Sequence, residues 1–433
     1  MGFETETDKV QKKQQVGKNV IRKDGLEKVK GTAAFGDDME LEEMLYGKAV
    51  RSDIAHGRLK RINLDKAWKV PGVVEILASD DVPGENRVGI IFKDEPVLIE
   101  EKVCRYGDAI CLIAAKTKES AEIAAKKVEV EYEELEVVTD PFEAMGDNAP
   151  IIHEHKGSNV VVNRKLIKND VDSAFEDCDL VVERNYKTNH AAHAFLEPQV
   201  TVASYENNIL TFWAGSQNIH YDRREVSRVL NLPQSSVRGI QSVTGGGFGG
   251  KLDIASQCHA ALLSYYTNKP VKINHSFEES FNISSKRHPY HIRYKTGVNA
   301  DGNLMALEAE FFLDTGAYCS YGPGVVTRGM VHGTGPYEVP NVRITGYLVY
   351  TNNPMAGAMR GFGVPQVSIA HESQMDIIAE KLNIDPFEIR LKNSLKVGSK
   401  TATNQALKES VGISKTLEIA REKAREIITD KDG

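Results

Sequence analysis

Val237-Arg-Gly-Ile-Gln-Ser-Val243-Thr-Gly-Gly-Gly-Phe-Gly-Gly-Lys251 is the stretch on which the reading of this chain turns. Its first half reads as a strand over 237–243, and the apolar run over 254–266 reads as a helix beyond it. Five of the seven residues 245–251 are glycine, so a backbone must approach something closely there. Three uses compete. Gly245, Gly250 and Lys251 match the G-x-x-x-x-G-K pattern of a phosphate loop, but Leu252 stands where Ser or Thr would hold magnesium. Gly245, Gly247 and Gly250 match the G-x-G-x-x-G pattern of a dinucleotide fold, but the strand over 271–274 ends without a ribose-binding acid. The third use is a loop offering backbone N–H groups to a flat anionic or metal-oxo ligand, with Phe248 as an apolar wall. A tight turn alone needs fewer glycines.

Working outward, strands are expected over 180–186, 200–205 and 209–213, and a helix over 221–230. Two long strands, 289–298 and 304–313, flank Asn299-Ala-Asp-Gly302, a hairpin signal. A strand over 342–350 and helices over 365–381, 386–392 and 413–428 complete this half. Upstream, short strands and helices alternate in a small α+β unit. It includes the apolar strand 109–114, the helix 118–126 and the strand 128–132. These signals divide the chain into a polar tail (1–17), a first domain (18–140), a linker (141–160) rich in Pro and Gly, and a second domain (161–433).

Three further segments carry candidate chemistry. In Ala358-Met-Arg360-Gly-Phe362-Gly-Val-Pro365-Gln366 an arginine sits among glycines, either as an anion or cofactor anchor with five fixed donors or as part of a surface turn. Trp213-Ala-Gly-Ser-Gln217-Asn218 closes an apolar strand, where Gln217 offers an amide to a ligand or the turn caps a helix. His190, His193 and Glu197 imitate a metal site, but Pro198 and strand-like flanks favour structural histidines.

Composition narrows the class. The 433 residues exceed one ordinary core, so two or three domains are expected. A net charge of -7 gives no basic excess for neutralising nucleic-acid phosphates. The five cysteines are odd in number and form no C-x-x-C pair, which speaks for buried free thiols rather than disulfides or an iron–sulfur site within this chain. The N-terminal residues lack the apolar core of a secretory signal, Glu6 breaks a myristoylation motif, and no apolar run approaches membrane-spanning length. A cytoplasmic location is expected.

Taken together, these segments resemble the molybdenum-binding subunits of the xanthine dehydrogenase and aldehyde oxidase family. The resemblance covers nearly the whole chain. Lys30-Gly-Thr-Ala-Ala-Phe35, Arg51-Ser-Asp-Ile-Ala-His56, Pro71-Gly-Val73 and Arg105-Tyr-Gly107 are similar to its α/β-hammerhead domain. Gln217, then Gly-Gly-Gly-Phe-Gly-Gly, then Arg-Gly-Phe-Gly-x-Pro-Gln follow the order of its first cofactor-binding domain, an order more specific than any one motif. The implied fold is α+β: a small hammerhead domain followed by a molybdenum-cofactor-binding α+β domain.

The resemblance implies roles residue by residue. Gln217 would hydrogen-bond an oxo ligand of molybdenum or the pterin edge. Gly247, Phe248 and Gly249 would approach the cofactor with backbone groups, and Arg360 would contact the metal centre, none of them as direct protein ligands. Phe362 would stack on a small aromatic substrate. Arg328 occupies the place of a substrate-orienting arginine and could clamp a carboxylate. Leu252 stands where purine-oxidising members have a glutamate, which turns the substrate pocket away from purines. The family's second cofactor domain, with its general-base glutamate, has no counterpart in this sequence. It is expected on a separate chain, unless the sequence is a fragment.

A split molybdenum subunit points to the nicotinate dehydrogenase branch, and the resemblance is closest to that branch's large molybdopterin subunit. The implied reaction is hydroxylation of an N-heteroaromatic ring carbon, nicotinate to 6-hydroxynicotinate. The implied cofactor is molybdopterin, as a cytosine dinucleotide, with molybdenum carrying a terminal selenium or sulfur. The implied partners are a second molybdopterin-binding subunit, an FAD subunit and a 2Fe-2S subunit. A purine- or aldehyde-oxidising member of the same family and a non-catalytic molybdopterin-binding or assembly protein are the rival readings.

Overall fold

A computed structural model describes residues 17–429 except residue 255. The tail read over 1–17 lies, Gly17 apart, outside the described residues. Two sheets carry the fold. The larger has seven strands, in the order Val237–Gln241, Ile209–Ala214, Val200–Glu206, Val271–Asn274, Leu45–Arg51, Ala109–Ala115 and Val73–Leu77. Strands from either side of the 141–160 segment therefore share one sheet. They meet where Leu45 pairs with Val271 in parallel. Every residue of Ala109–Ala115 is buried, as its unbroken apolar sequence requires of a strand covered on both faces.

The second sheet has five strands, in the order Leu180–Thr188, Tyr290–Val298, Leu304–Gly316, Asn341–Tyr350 and Val160–Lys168. Its central hairpin turns at 299–303, where the Asn299 side chain accepts the N–H of Asn303 and Gly302 takes φ +79°. Tyr290, Tyr294, Phe311, Ile344 and Leu348 form its core, and Val367 and Ile378 of the Val364–Leu382 helix pack on them. That helix follows Gly363, carries Pro365 in its first turn, and stops at Asn383 in the left-handed conformation.

Several elements depart from the sequence reading. The Gly322–Val331 helix was not expected, because Gly-Pro-Gly at its start reads as a turn; proline is tolerated in a first turn, and the helix is held by burial of Val325, Val326 and Met330. The Val160–Lys168 strand escaped because Asn163, Arg164 and Lys165 interrupt its apolar pattern; it is an edge strand with one neighbour. The 141–160 segment is packed, not merely connecting: buried Asn159 accepts the N–H of Ile152 and donates to the carbonyls of Ala144 and Pro150. All five cysteines are free, as expected, but Cys178 is only half-buried.

Candidate cofactor site

The glycine-rich loop lies between the Val237–Gln241 strand and the Gln257–Thr267 helix. The helix begins later than its apolar run suggested, so the loop is not that helix's N-terminus. This removes the geometry that both nucleotide readings require. Lys251 is not offered to a phosphate either. Its side chain is buried and its ammonium lies 2.6 Å from Glu197, over the Phe195 ring. The same Glu197 carboxylate accepts the N–H of Gly245 at 2.7 Å. One carboxylate thus closes both ends of the loop.

The remaining loop shape comes from backbone conformations that few residues adopt. Phe248 has φ +53° and Gly249 φ +108°, and a Cβ on Gly249 would come within 2.4 Å of the Ala358 carbonyl oxygen. This close approach joins the second motif: the Arg360 N–H donates to the Phe248 carbonyl at 3.0 Å. The 361–363 turn keeps positive φ throughout, which Gly361 and Gly363 adopt freely and which strains Phe362 at +55°.

Gln217 reaches the loop from the end of the Ile209–Ala214 strand. Its Oε1 accepts the N–H groups of Gly249 at 2.9 Å and Lys251 at 3.2 Å, while its own N–H donates to the Lys251 carbonyl. Two backbone donors fix which end of the amide is oxygen, so the Nε2 hydrogens point away from the loop. In this arrangement the Gly249 N–H is taken by Gln217. Among the described residues, the loop N–H groups without a protein partner are those of Gly246, Gly247 and Phe248.

The structure therefore gathers Gln217, Gly247, Phe248, Gly249 and Arg360. Arg360 is exposed with no carboxylate partner among the described residues, and Phe248 keeps 52% of its surface exposed. Amide hydrogens, free backbone N–H groups, a guanidinium and an uncovered ring form a donor set with an apolar wall. That chemistry fits a flat anionic pterin bearing a metal-oxo centre.

Phe362 stands beside this set, 5.6 Å edge-to-face from Tyr321 and against Gly324, where a Cβ would meet its ring at 3.0 Å. Arg328 lies one turn beyond Gly324 on the Gly322–Val331 helix, hence on the same side, and is exposed. Leu252 follows the loop and is half-buried. The histidine–carboxylate trio does not converge: His190 faces Asp314, His193 bonds the Ala358 carbonyl, and Glu197 holds Lys251. The Glu197–Lys251 clamp leaves no signal in the sequence, because the two residues stand 54 positions apart and Lys251 follows a glycine run that imitates a phosphate loop.

Two family descriptions match. "Molybdopterin cofactor-binding domain" covers residues 152–394, and "Aldehyde oxidase and xanthine dehydrogenase, a/b hammerhead domain" covers residues 30–136. The chain is 50% identical to the nicotinate dehydrogenase large molybdopterin subunit of Eubacterium barkeri, over 96% of this chain and 97% of that one. It is 35% identical to the xanthine dehydrogenase molybdenum-binding subunit of Escherichia coli O157:H7, over 93% of this chain and 55% of that one. The aldehyde oxidoreductase from Desulfovibrio gigas superposes with a TM-score of 0.90 at 29% identity, over 94% of this chain and 46% of that one. The chain thus spans nearly the whole of the first relative and about half the length of the other two. No helix among the described residues is long and apolar enough to cross a membrane. With its hammerhead domain, its cofactor-binding domain and the joined Gln217, Phe248 and Arg360 segments, the chain belongs to the aldehyde oxidase and xanthine dehydrogenase family of molybdenum hydroxylases.

Proposed function

We propose that this chain is the large molybdopterin-binding subunit of a hydroxylase that converts nicotinate to 6-hydroxynicotinate. The observation that carries the reading is the convergence of Gln217, Phe248 and Arg360, with Gly249 bonded to Gln217 and Arg360 bonded to Phe248. The near full-length match to a nicotinate dehydrogenase subunit supports the substrate. When bound, the cofactor supplies a molybdenum centre that delivers water-derived oxygen to the ring carbon and takes up two electrons.

The chain's own residues hold and orient. Gln217 Nε2, the N–H groups of Gly246, Gly247 and Phe248, and the Arg360 guanidinium bind the anionic cofactor. The Phe248 ring keeps water from its face. Phe362 stacks on the substrate ring, and Arg328 receives the substrate carboxylate through paired N–H groups. Leu252 leaves the pocket without a carboxylate for a purine. The general-base glutamate comes from a second molybdopterin-binding subunit. FAD and 2Fe-2S subunits carry the electrons away. The pterin is the cytosine dinucleotide, the metal carries terminal selenium or sulfur, and the assembly works in the cytoplasm.

The test is made on the natively purified complex. Elemental analysis and subunit mass spectrometry should find one molybdenum per pair of molybdopterin-binding chains. Turnover of nicotinate should exceed that of xanthine and of a neutral aldehyde. A complex that prefers xanthine or the aldehyde would move the chain to another branch of the family. A chain that copurifies with no molybdenum and no partner would leave only the assembly-protein reading.

A further inference from the structure

Lys286 and Arg287 form a two-residue strand beside Ala356–Gly357, directly behind the Arg360 turn. The Lys286 side chain is buried, 6% exposed, and its ammonium donates to the carbonyl and the hydroxyl of Ser284. Arg287 is half-buried. Its Nη2 donates to the Arg360 carbonyl at 2.9 Å and its Nη1 to Gln366 Oε1 at 3.4 Å. Neither cation has a carboxylate partner among the described residues, and neither has Arg360. Two other interior cations do, Arg105 with Glu95 and Asp108 and Lys251 with Glu197, whereas buried Lys168 and Lys272, like Lys286, are held by backbone carbonyls.

A buried charge without a counter-charge is costly, so such groups are normally paired. Burial lowers the affinity of both side chains for their protons, Lys286 to about 8, and no carboxylate opposes that effect. Both cations also act on His193, whose Nε2 bonds the Ala358 carbonyl in the same turn. Arg287 thus bonds the 356–360 segment, Lys286 lies on the strand paired with it, and Arg360 stands at its end, where Phe248 receives the Arg360 N–H.

We infer that Lys286 and Arg287 are a built-in counter-charge for the anionic cofactor, with Arg287 also positioning Arg360 through its carbonyl. The inference rests on the cofactor-holding function proposed above. Positive charge fixed beside a redox centre favours its more negative, reduced form. The pair therefore raises the centre's reduction potential as well as holding the cofactor.

The experiment uses the complete heteromeric holoenzyme carrying Arg287→Met, Arg287→Lys or Gln366→Glu. The last variant leaves Arg287 in place and puts a carboxylate against it. Molybdenum per complex is measured by elemental analysis, and the Mo(VI)/Mo(V) midpoint by redox titration followed by electron paramagnetic resonance. Arg287→Met and Gln366→Glu should each lower the midpoint, on the order of a tenfold change in the oxidised-to-reduced ratio, about 59 mV for one electron. A lowered molybdenum content in Arg287→Met, restored in Arg287→Lys, supports the same conclusion. Fully loaded variants with the wild-type midpoint overturn it. If Arg287→Met fails to assemble, the midpoint of Gln366→Glu decides alone. A wild-type complex without molybdenum would instead overturn the function on which the inference rests.

Discussion

Gln217 Oε1 accepts the Gly249 N–H at 2.9 Å, and that bond determines which end of the Gln217 amide is left for a ligand. Gln217→Glu keeps an acceptor for Gly249 and Lys251 but replaces the outward donor with a negatively charged oxygen. The variant should fold and assemble with an unfolding midpoint close to wild type. Its kcat should fall roughly 10²–10³-fold, the usual loss when one preorganised donor is removed. A variant with wild-type kcat would show that the Gln217 amide has no part in the site.

Gly249 and Gly398 separate two effects that glycine substitutions usually mix. Both have positive φ, +108° and +96°, but a Cβ at Gly249 would meet Ala358 O at 2.4 Å, whereas nothing lies within 4 Å at Gly398. Gly398→Ala should lose about 1 kcal/mol, from backbone strain alone. Gly249→Ala carries the same strain and must also push the 358–360 turn away, so it should lose more and retain less molybdenum. Chemical unfolding together with metal analysis tests both. Equal losses at the two positions would mean that the loop contact is slack.

Much of this site was legible in sequence, because glycine at a left-handed or close-approach position leaves a residue-level signature. Residues 245–251 and 361–363 announced themselves in that way, and Gln217 was read from its place at a strand end. The partners that hold these segments were not legible. Glu197 and Lys251 meet although three strands lie between them in the sequence, and Arg287 acts through a backbone carbonyl. No pattern within one segment reports either contact. The same limit hid the shared seven-stranded sheet, since the parallel pairing of Leu45 with Val271 joins positions far apart in the chain. Local periodicity found the strands but not their neighbours.

Arg328 offers the sharpest test of substrate class. It is exposed, on the side of its helix that carries Gly324 against Phe362. If it receives a carboxylate, Arg328→Leu removes a charge-assisted hydrogen bond worth roughly 1.5–3 kcal/mol. The kcat/KM for nicotinate should then fall about 10- to 200-fold, and that for a neutral aldehyde should stay within a few-fold. Equal losses for both substrates would rule out the carboxylate contact.

Buried histidines make the fold sensitive to acid. Burial holds His153 and His259 at about 4 and His288 at about 3. His153 and His259 each donate Nε2–H to a backbone carbonyl, those of Ala317 and Val97, which fixes a neutral tautomer. In the unfolded chain these rings titrate near 6.5, so below that pH the unfolded state binds protons that the folded state refuses. Their contribution is complete above pH 6.5 and is lost as pH falls toward 4 and 3. Each ring adds at most about 1.4 kcal/mol per pH unit to the slope. Glu95 and Asp222, which burial raises to about 7, act in the opposite direction over the same range, so the test compares variants: between pH 7 and 5 the urea midpoint of His259→Gln should fall less, or rise more, than that of wild type. An identical pH dependence in the two would contradict this.

The Glu197–Lys251 clamp predicts a non-additive pair. Lys251→Met leaves the Glu197 carboxylate nearly buried, with only the Gly245 N–H to satisfy it, and should cost on the order of 3–5 kcal/mol. Glu197→Gln leaves the Lys251 ammonium facing a neutral amide and should cost a similar amount. The double variant removes both charges while keeping an acceptor for Gly245. It should therefore recover a large part of either single loss. The same cycle separates stability from site geometry, because a neutral amide draws the two ends of the loop together less strongly. The double variant should regain its unfolding midpoint but still hold molybdenum less tightly than wild type. If the two single losses simply add, the carboxylate and the ammonium are not energetically joined, and Glu197 does not close the loop.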